Sequence, residues 1–118
     1  MKVIVTDRAQ ADFYTLLGPV FGSRGIEKAT HDRFYDDQGK VWYVICGKGA
    51  ASVSSGVIKN FWADSDEAAD AMLEEIRRHN DALSGIVPLA YEGAFRRAGF
   101  VVAKHSKNFM EVIQNEGN

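Results

Sequence analysis

The sequence predicts an α+β domain: a mostly antiparallel, strongly twisted sheet of six or seven strands, flanked by about four helices. Three observations carry this. Residues 57–100 read as strand, helix, strand, short helix. Apolar runs at 41–46, 50–54 and 57–62 are separated by short turns and have the spacing of an antiparallel meander. After Phe100, two more apolar runs flank a polar patch.

In chain order, Lys2–Thr6 is a first strand, and Asp7 is placed to cap a helix from Arg8 to Leu17 that stops at Gly18-Pro19. Gly22-Ser23 and Gly25 make a turn before a second helix, Ile26–Phe34. Asp36–Lys40 is a turn, Val41–Cys46 a strand apolar enough to be central, and Ala50–Ser54 the next strand. Val57-Ile58-Lys59-Asn60-Phe61-Trp62 alternates only loosely, as a strand covered on both faces does. Asp64 stands three residues before Glu67, a capping-box spacing. The helix that follows carries Ala69, Met72, Leu73, Ile76 and Leu83 on one stripe, with Ser84-Gly85 as its end. Ile86–Leu89 starts another strand. Tyr91–Ala98 is a short helix closed by Gly99, where a left-handed cap is wanted. Val101–Ala103 and Phe109–Ile113 are a strand pair around His105–Asn108, and Gln114–Asn118 is expected to fray.

A chain of 118 residues is one domain, long enough to bury about two-thirds of its unfolded surface. A hydrophobic fraction of 46%, a charged fraction of 25% and a net charge of −2 give no global pull towards nucleic acid or anionic membrane. No apolar run approaches the roughly 20 residues of a membrane span. Asp7 comes too early for a signal peptide. The single cysteine, Cys46, cannot form an internal disulfide, fits the reducing cytoplasm, and reads as a buried structural thiol.

The element order resembles that of the GNAT superfamily, the acyl-CoA-dependent N-acetyltransferases, over nearly the whole chain. The best local support is Phe95-Arg96-Arg97-Ala98-Gly99-Phe100 before a strand, since many members end their fourth helix with an aromatic, a polar pair and Gly-Phe. The resemblance implies that the fourth and fifth strands splay apart and admit acyl-CoA. Acetyl-CoA would then meet the backbone of Phe61, Trp62 and Ala63, with its pyrophosphate at the start of the third helix, near Ala69.

That start departs from the family pattern, which resembles Arg/Gln-x-x-Gly-x-Gly/Ala because glycine lets the backbone approach the anion. Here Asp64 takes the arginine's place, Glu67 the first glycine's and Ala69 the second's, and no glycine occurs between Gly56 and Gly85. Asp64, Asp66 and Glu67 fill with carboxylates the field a phosphate would use. The tyrosine that protonates the departing thiolate in many members matches Phe95, and the asparagine at the end of strand five matches Pro88. Tyr91, one turn earlier, is the fallback acid or else a packing tyrosine.

Other residues are candidates on their own chemistry. His31 beside Asp32 is the pairing used for general-base work, or else surface decoration. His79 ends a helix whose dipole favours positive charge. The three histidines are too scattered for a metal, and none is expected. Arg77, Arg78, Arg96, Arg97, Lys104 and Lys107 gather in the C-terminal half, as a nucleic-acid surface or as solvated helix faces. Asp36-Asp37 and the acidic helix start suit a basic partner protein. Trp42-Tyr43 and Phe61-Trp62 are either core or exposed aromatic surface, and a cleft without CoA leaves apolar walls that a homodimer would cover.

Three functions follow: a degenerate family member acting by binding a partner protein; an active N-acyltransferase with an atypical cofactor site, using Tyr91 as acid and His31 or Asp32 as base; and a nucleic-acid-binding or modifying relative.

Overall fold

The computed structural model describes residues 1–115. The elements run β1 (Ile4–Thr6), α1 (Phe13–Leu17), α2 (Arg24–Thr30), β2 (Val41–Ile45), β3 (Gly49–Ser54), β4 (Val57–Ala63), α3 (Asp66–His79), β5 (Ser84–Pro88), a 3₁₀ turn (Leu89–Tyr91), α4 (Glu92–Arg97), β6 (Phe100–Lys104) and β7 (Phe109–Gln114). They build an α+β fold around one seven-stranded sheet of order β1-β2-β3-β4-β5-β7-β6. Every neighbouring pair is antiparallel except β4 and β5, which run parallel and pair at only two positions, Val57 with Ser84 and Ile58 with Gly85.

Two apolar clusters clothe the two faces. On one, Phe61, Met72, Leu73, Ile76, Phe95 and Met110 lie under α3 and α4. On the other, Phe13, Leu17, Ile26, Phe34, Trp42 and Val44 lie under α1 and α2, over the β1–β4 half of the sheet. Phe61, Phe95 and Phe100 form an edge-to-face series with centroids 4.9 and 5.1 Å apart. Such pairs add about 0.5–1.5 kcal/mol each beyond their burial.

Several local expectations are corrected. Asp7 caps only a turn, accepting from the Ala9 amide at 2.9 Å, and α1 begins at Phe13. α2 ends at Thr30, capped at its start by Ser23; His31 takes the left-handed cap position at φ 57° and is not within the helix. Ser65, not Asp64, caps α3, its hydroxyl accepting from the Ala68 amide at 3.1 Å. That helix closes at His79, so Leu83 is buried beyond it and not on its stripe.

Gly85 does not end a helix but lies inside β5. A Cβ there would meet the Ile58 carbonyl oxygen at 2.6 Å, so the bare backbone is what lets β4 and β5 touch. Gly99 follows α4 at φ +91°, as its position predicts.

Cys46 is exposed, because β2 ends at Ile45 and the next three residues turn. Trp42, Tyr43 and Phe61 are buried and Trp62 is half-buried, so those pairs belong to the core. Gln114 is not frayed: its amide bonds the Leu83 carbonyl at 2.8 Å. Asn115 is held too, its amide bonding the Gly99 carbonyl at 3.2 Å, and 116–118 lie outside the described residues.

Candidate functional site

The parting of β4 from β5 is the natural place to look for a site. After Ile58 and Gly85 the two strands no longer pair, so the last residues of β4 turn backbone groups into a gap. Tyr91, at the end of the 3₁₀ turn, reaches across it. Its hydroxyl accepts from the Ala63 amide at 3.1 Å and donates to the Ala63 carbonyl at 3.1 Å. Its ring packs edge-to-face on Phe61 at 5.1 Å. By the alternation of an antiparallel ladder, Phe61 turns its N–H and C=O to the same side as Ala63. Burial is the main reason that the Tyr91 phenol holds its proton above the usual value, opposed by its bond to Ala63.

Below the gap lies the start of α3. Ser65 caps it, Asp66 and Glu67 fill its first turn, and the Ala69 amide is engaged by the Ser65 carbonyl at 3.1 Å. From α4, Arg97 reaches Asp70 at 3.0 Å and Asp66 at 3.5 Å. The guanidinium that α4 brings to this helix start is therefore already held by acids.

On the other face of the sheet, a second polar centre joins α2 to the strands. Register shifts between Ser52 and Val53, leaving Lys59 as the extra residue of a bulge in β4 and turning Asn60 under α2. The buried Asn60 amide donates to Asp32 at 3.0 Å and accepts from Ser52 at 2.6 Å and Lys40 at 3.0 Å. Lys40, whose side chain is only 9% exposed, also meets Asp37 at 3.2 Å and lies over the Trp42 ring. Asp32 accepts from the Arg33 amide with its other oxygen, so both oxygens are engaged.

Outside this centre is a broad concavity of about 970 Å³, whose wall includes Arg24, Lys28, His31, Asp32 and Tyr35. Among the described residues no hydrogen bond or ion pair joins His31 to Asp32, or either of them to Tyr91. The sequence candidates therefore fall into two places. Tyr91, Phe61 and Ala63 meet at the gap, whereas His31 and Asp32 sit on the opposite face beneath α2. Trp62 packs on that second face too.

Of the six basic residues of the C-terminal half, three are turned onto acids, while among the described residues Lys104 and Lys107 are exposed and make no ion pair. Arg78 pairs with Glu74 and Glu75, Arg96 with Glu92, and Arg97 with Asp66 and Asp70. Arg77 lines a groove shared with Asp70 and Glu74. Among the described residues, no three side chains of metal-binding type converge, and no helix is long and apolar enough to cross a membrane.

The polar centre of Asn60, Ser52 and Lys40 was missed from sequence. The one available signal was Asn60 itself, a polar residue in the middle of an otherwise apolar strand. The chain matches no protein-family model and no curated protein sequence at a significant level.

Proposed function

We propose that this chain is a GNAT-like domain whose cofactor slot is closed, and that it works in the cytoplasm by binding a partner protein instead of transferring an acyl group. The observation that carries the reading is the double hydrogen bond from Tyr91 to Ala63. An acyl-CoA entering between parted strands needs outward N–H and C=O groups of the fourth strand, and here a side chain of the protein already holds both of those of Ala63. Two features support the architectural half of the reading: β4 and β5 are parallel yet pair only at their starts, and α4 closes through Gly99-Phe100. The acidic first turn of α3 supports the other half, since a helix N-terminus favours one anion and carboxylates already supply it.

The test is a thermal melt with acetyl-CoA, CoA and longer acyl-CoAs. No shift is expected. A ligand at 100 times its Kd adds about 2.7 kcal/mol, several degrees for a domain of this size, so a saturable upward shift overturns the reading.

One observation favours a second reading, that of an active N-acyltransferase. The gap exists, and a tyrosine hydroxyl lies in it. In that reading Tyr91 swings from Ala63 to protonate the departing thiolate, and Asp32 or His31 would have to serve as base from the far face. Tyr91→Phe separates the two: it abolishes transfer in an enzyme, and it leaves partner binding intact in the first reading.

A further inference from the structure

On the side of the sheet away from α3 and α4, helices α1 and α2 cover only the β1–β4 half. Apart from the buried Pro88 and the half-buried Ser84 and Phe109, strands β5, β7 and β6 are exposed there, although the residues they turn to that side are mostly apolar. Ile86, Val101 and Ile113 are 44%, 57% and 52% exposed. The register makes them neighbours: Ile86 stands opposite Glu111, Val101 opposite Ile113, and Ala103 again opposite Glu111. Scattered exposed apolar residues are ordinary, but a contiguous set on a rigid sheet marks an interaction surface.

The charges on this face are few and unpaired within the chain. Glu111 is the one ionisable residue that β5, β7 and β6 turn to it. Lys59, on the bulge of β4, lines a shallow trough together with Gly85, Ile86 and Glu111. Among the described residues, neither Lys59 nor Glu111 makes an ion pair or a side-chain hydrogen bond. A carboxylate amid exposed aliphatic side chains calls for a cation from whatever covers it.

The width of the bare strip also selects. Three strands span about 10 Å between the outer two. A helix with its side chains is about 10–12 Å across. The vacancy is one helix wide.

From this fit and this charge we propose that the bare face of β5, β7 and β6 is the docking site for an amphipathic helix of a partner protein. The helix carries apolar side chains at i, i+3 or i+4, and i+7, with a lysine or arginine inside that stripe to meet Glu111. The inference rests on the reading that the domain acts by binding a protein.

A display library of helical peptides with one randomised face is the probe, read out by fluorescence anisotropy of the selected peptides on the whole domain. Peptides with the stated stripe and an internal cation are expected. Ile113→Lys should weaken their binding about tenfold or more. Glu111→Lys should weaken it similarly, and an acid in place of the peptide's cation should restore it. Both positions are exposed, and unchanged thermal melts verify that each variant folds. Failure to select such peptides, or binding indifferent to both substitutions, overturns the proposal. So does sedimentation showing a dimer that Ile113→Lys dissociates, because a second copy would then own the face. The melts with acyl-CoA decide the cofactor question separately.

Discussion

Tyr91 and Ala63, 28 residues apart in sequence, are joined by a two-way hydrogen bond: the Tyr91 hydroxyl takes the Ala63 amide and gives to the Ala63 carbonyl, both at 3.1 Å. A buried strand that loses its neighbour must find other partners for its outward backbone groups. Here β5 leaves β4 after Gly85, and one phenol does for Ala63 what a neighbouring strand would have done. The ring's seat on Phe61 fixes its position, so the clip is set by packing and completed by hydrogen bonding.

Tyr91→Phe tests the clip directly. The ring contact with Phe61 is kept, while the N–H and C=O of Ala63 lose their partner. A loss of about 1–3 kcal/mol is expected, the usual penalty for stranding buried polar groups, measured by urea or thermal unfolding. A variant as stable as the parent would mean that water replaces the hydroxyl freely and that the gap is wet.

Alkaline pH should weaken the fold in a way that Tyr91 partly accounts for. Burial pushes the phenols of Tyr91 and Tyr43 above their ordinary value of 10.0, and the bond to Asp36 does the same for Tyr14. The unfolded chain therefore releases these protons first as pH rises. The stability tied to keeping them protonated is full below about pH 10 and is lost as pH climbs through the raised folded values. Urea midpoints should fall above pH 10, and less steeply in Tyr91→Phe than in the parent. Equal slopes would remove Tyr91 from this account.

Asn60 is the keystone of the polar centre under α2. Replacing it by alanine strands the buried Ser52 hydroxyl, leaves the Lys40 ammonium with Asp37 alone and frees Asp32 from β4. A cost of about 2–4 kcal/mol is expected. Lys40→Met should cost less, because Ser52 still satisfies the Asn60 carbonyl and the stem still covers Trp42. If the two variants melt together, the centre is held by packing and not by its hydrogen bonds.

What the sequence revealed and what it hid divide along a physical line. The meander of β2, β3 and β4 was legible because apolar runs and short turns are local signals, and Gly99 was legible because its role depends on its own backbone angle. At the start of α3 the capping-box spacing pointed to Asp64, whereas the adjacent Ser65 is the cap, a choice made by the backbone direction at the end of β4. Gly85 looked like a helix stop because the approach of Ile58, more than 25 residues away, leaves no local trace. Tyr91 was singled out as a hydroxyl near the gap, but its partner is a backbone group, which no side-chain pattern announces. Asp32 was noticed for its neighbour His31, whereas its actual contact is Asn60.

Gly85→Ala should pry the two parallel strands apart. The added methyl would lie 2.6 Å from the Ile58 carbonyl oxygen and 3.3 Å from its amide nitrogen, both backbone atoms of a buried strand that cannot move aside cheaply. Overpacking of this kind costs about 1–3 kcal/mol or more. Hydrogen exchange at β4 and β5 amides should accelerate relative to β2 and β3. Uniform behaviour across the sheet would show that the strands absorb the methyl without parting.

The cap of α3 gives the sharpest comparison, because two neighbouring residues make opposite predictions. Ser65 accepts from the Ala68 amide, so Ser65→Ala leaves an orphan donor at the helix start and should cost about 1 kcal/mol. Asp64 is exposed and donates its own amide to the Lys48 carbonyl at 2.8 Å, a bond that survives side-chain truncation. Asp64→Ala should therefore stay within about 0.5 kcal/mol of the parent. The helix dipole favours Asp64 weakly, but that attraction is screened by salt, so raising ionic strength should shrink whatever small effect remains while leaving the Ser65 penalty unchanged. Reversed magnitudes would move the cap to Asp64 and shift the helix register by one residue. That shift would also change which amides at the foot of the gap point outward.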